Sequence, residues 1–294
     1  MTSLGVMQAR QATDVQIDPN DIGGVVQGRQ GPEAGVWVIA ETADLPTGFI
    51  RIVVTDDDGR YLLPELPDAT YDVWGRGYGL VDSEKVNAVP GQSLDLNAVI
   101  APDAAAAAAY YPAGNWYSLL EIPARSEFPG TGADGNGISP NIHNQADFMR
   151  RVSSGGCLAC HQMGNAAIRN IPGLFSGYDT SIEAWDRRVR SGQAGGSMSR
   201  ALAGMGGRAL QMYADWTDRI AAGELPPVPE RPSGLERNVV ITQWDWADPT
   251  AYLHDLVSTD RRDPTRNAYG KIYGALENSA DYLPVLDPQT NTIA

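Results

Sequence analysis

The chain has 294 residues, and 22 Lys+Arg against 36 Asp+Glu leave a formal net charge of −14. That length predicts two or three domains, and an apolar fraction of 43% excludes global disorder. The acidic balance argues against nucleic acid as a partner, and no stretch reaches the roughly 18 apolar residues of a membrane-spanning helix.

The opening residues, Met1 to Ala12, have no charged leader and almost no apolar run. Residues 20–101 read as β-structure. Gly35-Val36-Trp37-Val38-Ile39-Ala40 is apolar and β-branched, and Ile50-Arg51-Ile52-Val53-Val54-Thr55 alternates more openly. Between them and Tyr61, the segment Thr55-Asp56-Asp57-Asp58-Gly59-Arg60 signals a hairpin, because Asp-Gly supplies the positive φ of a tight turn. The aspartates read as a solvated turn, since the later bidentate Glu of a calcium loop is missing. Tyr71-Asp72-Val73-Trp74 and Leu94-Asp95-Leu96-Asn97-Ala98-Val99 continue the pattern of short strands expected of a small antiparallel β-sandwich.

With Gly23-Gly24-Val25-Val26, Gly35 to Val38, Thr55 to Pro64 and Tyr71-Asp72-Val73, this stretch resembles the carboxypeptidase regulatory-like domain, a transthyretin-like sandwich. The resemblance implies a structural or binding module and transfers no catalytic residue.

Residues 102–140 read as an irregular connecting segment. A six-alanine run, Ala104 to Ala109, suits a short helix or a linker. The aromatic, Gly- and Pro-rich stretch after it is expected to pack on a neighbour, because so many exposed aromatics are costly.

Residues 141–228 turn helical. Ala146 to Val152 leads into Cys157-Leu158-Ala159-Cys160-His161. Ser181 to Arg190 sets Ile182, Trp185 and Val189 on one stripe, and Arg208 to Ala222 repeats it with Met212, Trp216 and Ile220 before Gly223. Pro226, Pro227 and Pro229 stop that helix.

The two cysteines of the chain are three residues apart, too close to staple a fold. A redox dithiol wants a βαβ setting, and a structural zinc wants four ligands; His143 and His254 show no ligand spacing and read as surface and structural residues. Cys-x-x-Cys-His is instead the attachment motif of one covalent haem c. Two thiols one helical turn apart meet the two vinyl groups on one ring edge, and the next residue, His161, is aimed at the iron. Covalent haem attachment is normally performed outside the bacterial cytoplasm. A periplasmic or otherwise exported protein is therefore expected, with Met1 inside or just after a signal peptide.

The sixth ligand is sought among the methionines. Met163 is too close to His161, Met212 lies on a core stripe, and Met149 packs in the first helix. Met198 and Met205 both sit in Gly-rich text; Met198 is preferred, with Met205 the runner-up. Arg169 is a candidate partner for a haem propionate.

Cys157 to His161, Gly164, Ile171-Pro172-Gly173-Leu174, the methionine segment and Trp216 together resemble a class I cytochrome c domain. The resemblance implies that the Pro172 carbonyl accepts a hydrogen bond from the outer nitrogen of His161, which would fix the ring.

The tail, 229–294, holds a strand at Asn238 to Trp244 and ends on text that looks like the start of another element. Trp244-Asp245-Trp246 and Asp281 to Pro288 resemble the lead-in to a streptogramin-lyase-like β-propeller, so the chain is expected to be a fragment.

The fold class expected is therefore multidomain β + α: an N-terminal antiparallel sandwich, an all-α cytochrome c domain and an irregular tail with some strand. The function expected is electron transfer to a redox partner protein through His/Met-ligated haem. The alternatives are a haem relay domain of a larger periplasmic enzyme, with its chemistry in a downstream propeller, or a five-coordinate ligand-binding haem. No nucleophile, base and acid constellation supports catalysis by these residues alone.

Overall fold

A computed structural model describes residues 15–153, 156–192, 194–246, 253–257, 262–263, 265–276 and 282–294. The export reading of residues 1–12 falls outside them, as do Gly155 and Asp281; His254 is placed only by the backbone of the strand Leu253–Val257. The protein is of mixed β+α class and divides into two compact units. One comprises Met1–Ala101 with Glu230–Ala294, the other Pro102–Pro229.

In the first unit, Gly48–Val54 lies between Trp37–Thr42 and Ile241–Asp245, and the sheet continues through Tyr71–Arg76 to Val86–Ala88, all antiparallel. A second group of strands is built on Ile22–Gly28. It pairs antiparallel with Arg60–Leu63 and Gly31–Pro32, and parallel with Gln92–Ser93 and Leu96–Asn97. Period-two alternation sends Ile22 and Val26, Val38 and Ala40, Phe49 and Val53, Tyr61 and Leu63, and Tyr71 and Val73 into one shared core. The last strands, Leu253–Val257, Ile272–Leu276, Val285–Asp287 and Thr292–Ile293, form an antiparallel meander.

Three features differ from the sequence reading. The Asp-Gly turn does not close a hairpin: Gly48–Val54 pairs with Trp37–Thr42, whereas Arg60–Leu63 pairs with Ile22–Val25. The turn itself forms as expected, with Gly59 at φ +72° and Asp56 Oδ1 accepting from the amides of Asp58 and Arg60. The strands diverge because buried Thr55 ties the chain elsewhere, donating to the Glu33 carbonyl at 2.7 Å and accepting from the Val36 amide at 2.9 Å. Leu94 to Val99 is not one strand but two short ones, the first parallel to Ile22–Gly28 and the second antiparallel to Leu80–Val81. The strand in the tail is the edge of the larger sheet, pairing Ile241 with Ile52 through Asp245 with Gly48, and it sets Trp244 edge-on to Phe49 at 6.2 Å.

The second unit holds seven helices among its described residues: α1 Ala104–Ala108, α2 Ala113–Tyr117, α3 Gln145–Val152, α4 Ala166–Arg169, α5 Ser181–Val189, α6 Gly195–Ala203 and α7 Gly207–Ala221. Side-chain caps start several of them. Asp103 accepts from the Ala106 amide, Asn144 from Asp147 and Asn165 from Ile168, while Thr180 and Glu183 form a reciprocal capping box. Gly223, at φ +99°, ends α7 where the proline-rich text begins. Met212, Tyr213 and Trp216 of α7 meet Trp185 and Val189 of α5 and Phe148 and Val152 of α3 in one core. Met149 is on the other face of α3 and is 42% exposed, contrary to expectation. The 102–140 segment packs into the same unit: Ile138 is fully buried and Tyr117, Leu119, Leu120 and Phe128 line the core.

No helix among the described residues is long and apolar enough to cross a membrane.

Candidate functional site

The Cys-x-x-Cys-His text folds as a single helical turn. Residues Cys157–Ala159 are 3₁₀-helical, and the amides of Cys160 and His161 both return to the Cys157 carbonyl, the latter at 3.0 Å. The chain enters the turn through Gly156 (φ −149°, ψ −115°), where a Cβ would lie 1.7 Å from the Arg151 carbonyl oxygen. It leaves through Gly164 (φ +87°), where a Cβ would lie 2.1 Å from the Ala113 carbonyl oxygen. Two glycines therefore let the motif lie tightly between α3 and α2.

Both cysteines are free thiols; Cys157 is half-buried and Cys160 exposed. The Cys157 sulfur accepts a hydrogen bond from the Tyr213 hydroxyl of α7 at 3.4 Å. The Tyr117 hydroxyl donates to the Val152 carbonyl at 2.6 Å and lies 3.5 Å from the Tyr213 hydroxyl. Burial holds the Tyr213 phenol well above its ordinary range, and it pushes Tyr117 up to about 12. Tyr213 stacks on Trp185 at 5.2 Å and meets Trp216 edge-on at 6.4 Å. Desolvation lowers the pKa of His161, and the Arg188 cation lowers it further.

The partly buried apolar residues on the rim of this core include Cys157, Ile168, Ile171 and Met198. The Cys157 turn, the segment before Pro172 and the preferred methionine thus each pack against the same core. Met198 does not sit in a loop. Gly195–Ala203 is helical, because the amides of Ser197 and Met198 find the Ala194 carbonyl and the glycine pair is absorbed into the first turn. Met205, between α6 and α7, is 1% exposed and belongs to the core proper. Met163 and Met212 are buried as well.

Pro172 precedes the 3₁₀ turn Gly173–Phe175, and its carbonyl accepts from the Phe175 amide at 2.8 Å. Arg169 is engaged inside the unit: it donates to the Gly164 carbonyl at 2.8 Å and lies 4.1 Å from the centre of the Trp116 ring. His143 is exposed just ahead of α3.

The fit of these residues to a porphyrin can be judged from what the turn leaves uncovered. Leu158, inside the motif, is 40% exposed and Leu174, beside Pro172, is 85% exposed, so apolar side chains on both segments lack a covering partner. Two unpaired thiols one turn apart, an imidazole beside them and a half-covered thioether on the same core match the donor set of haem c. No group of three or more His, Cys, Asp or Glu among the described residues is arranged to hold a bare metal ion. In the first unit, Asp56 and Asp58 pair with Arg60, and Asp57 with Arg237, so the acidic turn is an ion-pair cluster. Neither the known protein-family models nor the curated proteins yield a match to this chain.

Sequence reasoning missed Tyr213, Tyr117 and Arg188. All three act through contacts between segments distant in sequence, and only the position of Tyr213 beside Met212 and Trp216 hinted that it faces the motif.

Proposed function

We propose that this chain is an electron-transfer protein holding one covalent haem c through Cys157, Cys160 and His161. The observation that carries the reading is the closed turn of Cys157 to His161, seated on the core that also receives Met198. A haem bound there supplies one-electron redox chemistry. Cys157 and Cys160 are the attachment thiols, His161 the proximal ligand and Met198 the ligand from α6. Met205 serves the core: its side chain is fully enclosed, whereas Met198 lies on the rim. With both His161 and Met198 as its protein ligands, such a haem would serve electron transfer and not the binding of a substrate.

The unit formed by Pro102–Pro229 is read as the cytochrome c domain. The strand unit, with its two groups of strands on one core, is read as a transthyretin-like sandwich that docks the cytochrome to its redox partner. The excess of acidic residues suits a basic docking surface on that partner. An exported, periplasmic setting follows from the same chemistry.

The test is spectroscopic. The oxidised protein is expected to show a methionine-sulfur-to-iron charge-transfer band that Met198→Ala abolishes and Met205→Ala retains. A wild-type protein without that band, and with ready carbon monoxide binding, contradicts the assignment of Met198.

A further inference from the structure

Arg188 stands on the face of α5 that carries Trp185, its guanidinium 4.9 Å from the centre of that ring. It donates to three backbone carbonyls of another segment: Ile168 at 2.8 Å, Asn170 at 3.1 Å, and Ala167. These are the carbonyls at the end of α4, where the helix leaves acceptors without intrahelical donors and where positive charge is favoured. The next two residues are Ile171 and Pro172. The side chain is half-buried, and among the described residues no carboxylate pairs with it, so its charge is not cancelled locally.

We propose that Arg188 is a positioning and tuning residue: its fork fixes Ala167 to Asn170, and with them the Ile171-Pro172 turn, while its uncompensated charge favours the reduced state of an iron held by His161. The second half rests on the haem reading above; the first does not. The guanidinium geometry matters for the first half, because one planar group reaches three carbonyls that a single ammonium cannot satisfy in the same way. Only the charge matters for the second, since a cation near the site opposes the extra positive charge of the oxidised iron. The guanidinium reaches the motif through two contacts: Trp185, on which it lies, stacks on Tyr213 at 5.2 Å, and the Tyr213 hydroxyl donates to the Cys157 sulfur at 3.4 Å.

Arg188→Lys and Arg188→Gln separate the halves. Amide exchange at Phe175, whose N–H donates to the Pro172 carbonyl at 2.8 Å, reports the turn with or without haem. It is expected to speed up about tenfold or more in both variants; unchanged exchange overturns the positioning role. The reduction potential reports the charge. Arg188→Lys is expected to keep the wild-type potential, whereas Arg188→Gln favours the oxidised form about tenfold, about 59 mV for one electron. Wild-type potentials in both variants of a protein that does hold haem overturn the tuning role alone. A wild-type protein with no covalent haem overturns the tuning role together with the haem reading, leaving the exchange result to decide the clamp.

Discussion

The hydroxyl of Tyr213 donates to the sulfur of Cys157 at 3.4 Å, joining two residues 56 positions apart. This bond ties the Cys157–His161 turn to α7, the longest helix among the described residues of its unit. It also makes the two thiols unequal, since Cys157 is half-buried beneath the tyrosine and Cys160 is exposed. In haem-free, reduced protein, Cys160 is expected to react with an alkylating reagent at least several-fold faster than Cys157. Mass mapping of partially alkylated protein checks this, and equal rates would show that the sulfur is not held as described. Replacing Tyr213 by Phe removes the hydroxyl and should cost about 1 kcal/mol in denaturant unfolding while keeping the ring stack on Trp185.

Trp216 is fully buried, with its indole N–H on the Trp116 carbonyl at 3.0 Å and its ring edge-on to Tyr117. It joins α7 to the aromatic segment that precedes the motif. Trp216→Ala is expected to destabilise the helical unit by about 3–5 kcal/mol, through lost burial and the cavity left behind. Equilibrium unfolding followed by far-ultraviolet circular dichroism is the check. A loss below about 1 kcal/mol would mean that the segment is not anchored there.

Gly156→Ala is expected to disturb the motif more than its small size suggests. The new Cβ would lie 1.7 Å from a backbone oxygen of α3, which no side-chain adjustment relieves. The variant should fold with a distorted entry to the turn and a lower yield of attached haem, while Gly173→Ala, where no atom lies within 4 Å, should match wild type. Comparable yields for the two variants would refute this tight approach.

The phenols set an alkaline limit. Tyr117 titrates near 10 when unfolded and at about 12 when folded, chiefly because burial disfavours its charged form. The folded state then holds a proton that the unfolded state has lost. Its stabilising contribution is complete below about pH 10 and is lost as pH rises towards about 12. Unfolding free energy is therefore expected to fall across that window, less steeply in Tyr117→Phe. Identical slopes in the two proteins would show that another group controls the alkaline transition.

Much of this architecture was legible because it is written locally. The stripes of α5 and α7, the proline stop after Gly223 and the turn at Cys157 depend on neighbours within four residues, where periodicity and capping act. The partner of Ile241–Asp245 lies about 190 residues earlier, and nothing in a strand's own alternation names its neighbour. The Asp-Gly segment shows the same limit in reverse: the turn was readable, but Thr55 sends its flanking strands to different partners. Gly195-Gly196 misled in another way, because glycine permits a loop without requiring one, and the carbonyl of Ala194 recruits both glycines into α6. Within the candidate site, the helical turn of Cys157 to His161 follows from local spacing. Tyr213 and Arg188 were not legible in this way, since their roles rest on a sulfur and three carbonyls contributed by other segments.

The most direct test of the central claim is whether haem remains on the polypeptide. The protein is produced with the c-type maturation machinery, denatured, and separated by size with haem staining, alongside Cys157→Ser/Cys160→Ser. Covalent attachment predicts a haem-staining band at the mass of the chain in wild type, none in the double variant, and a reduced pyridine spectrum of the c type. A wild-type chain that stays unstained, or that gives up its haem to acidified organic solvent, would contradict it.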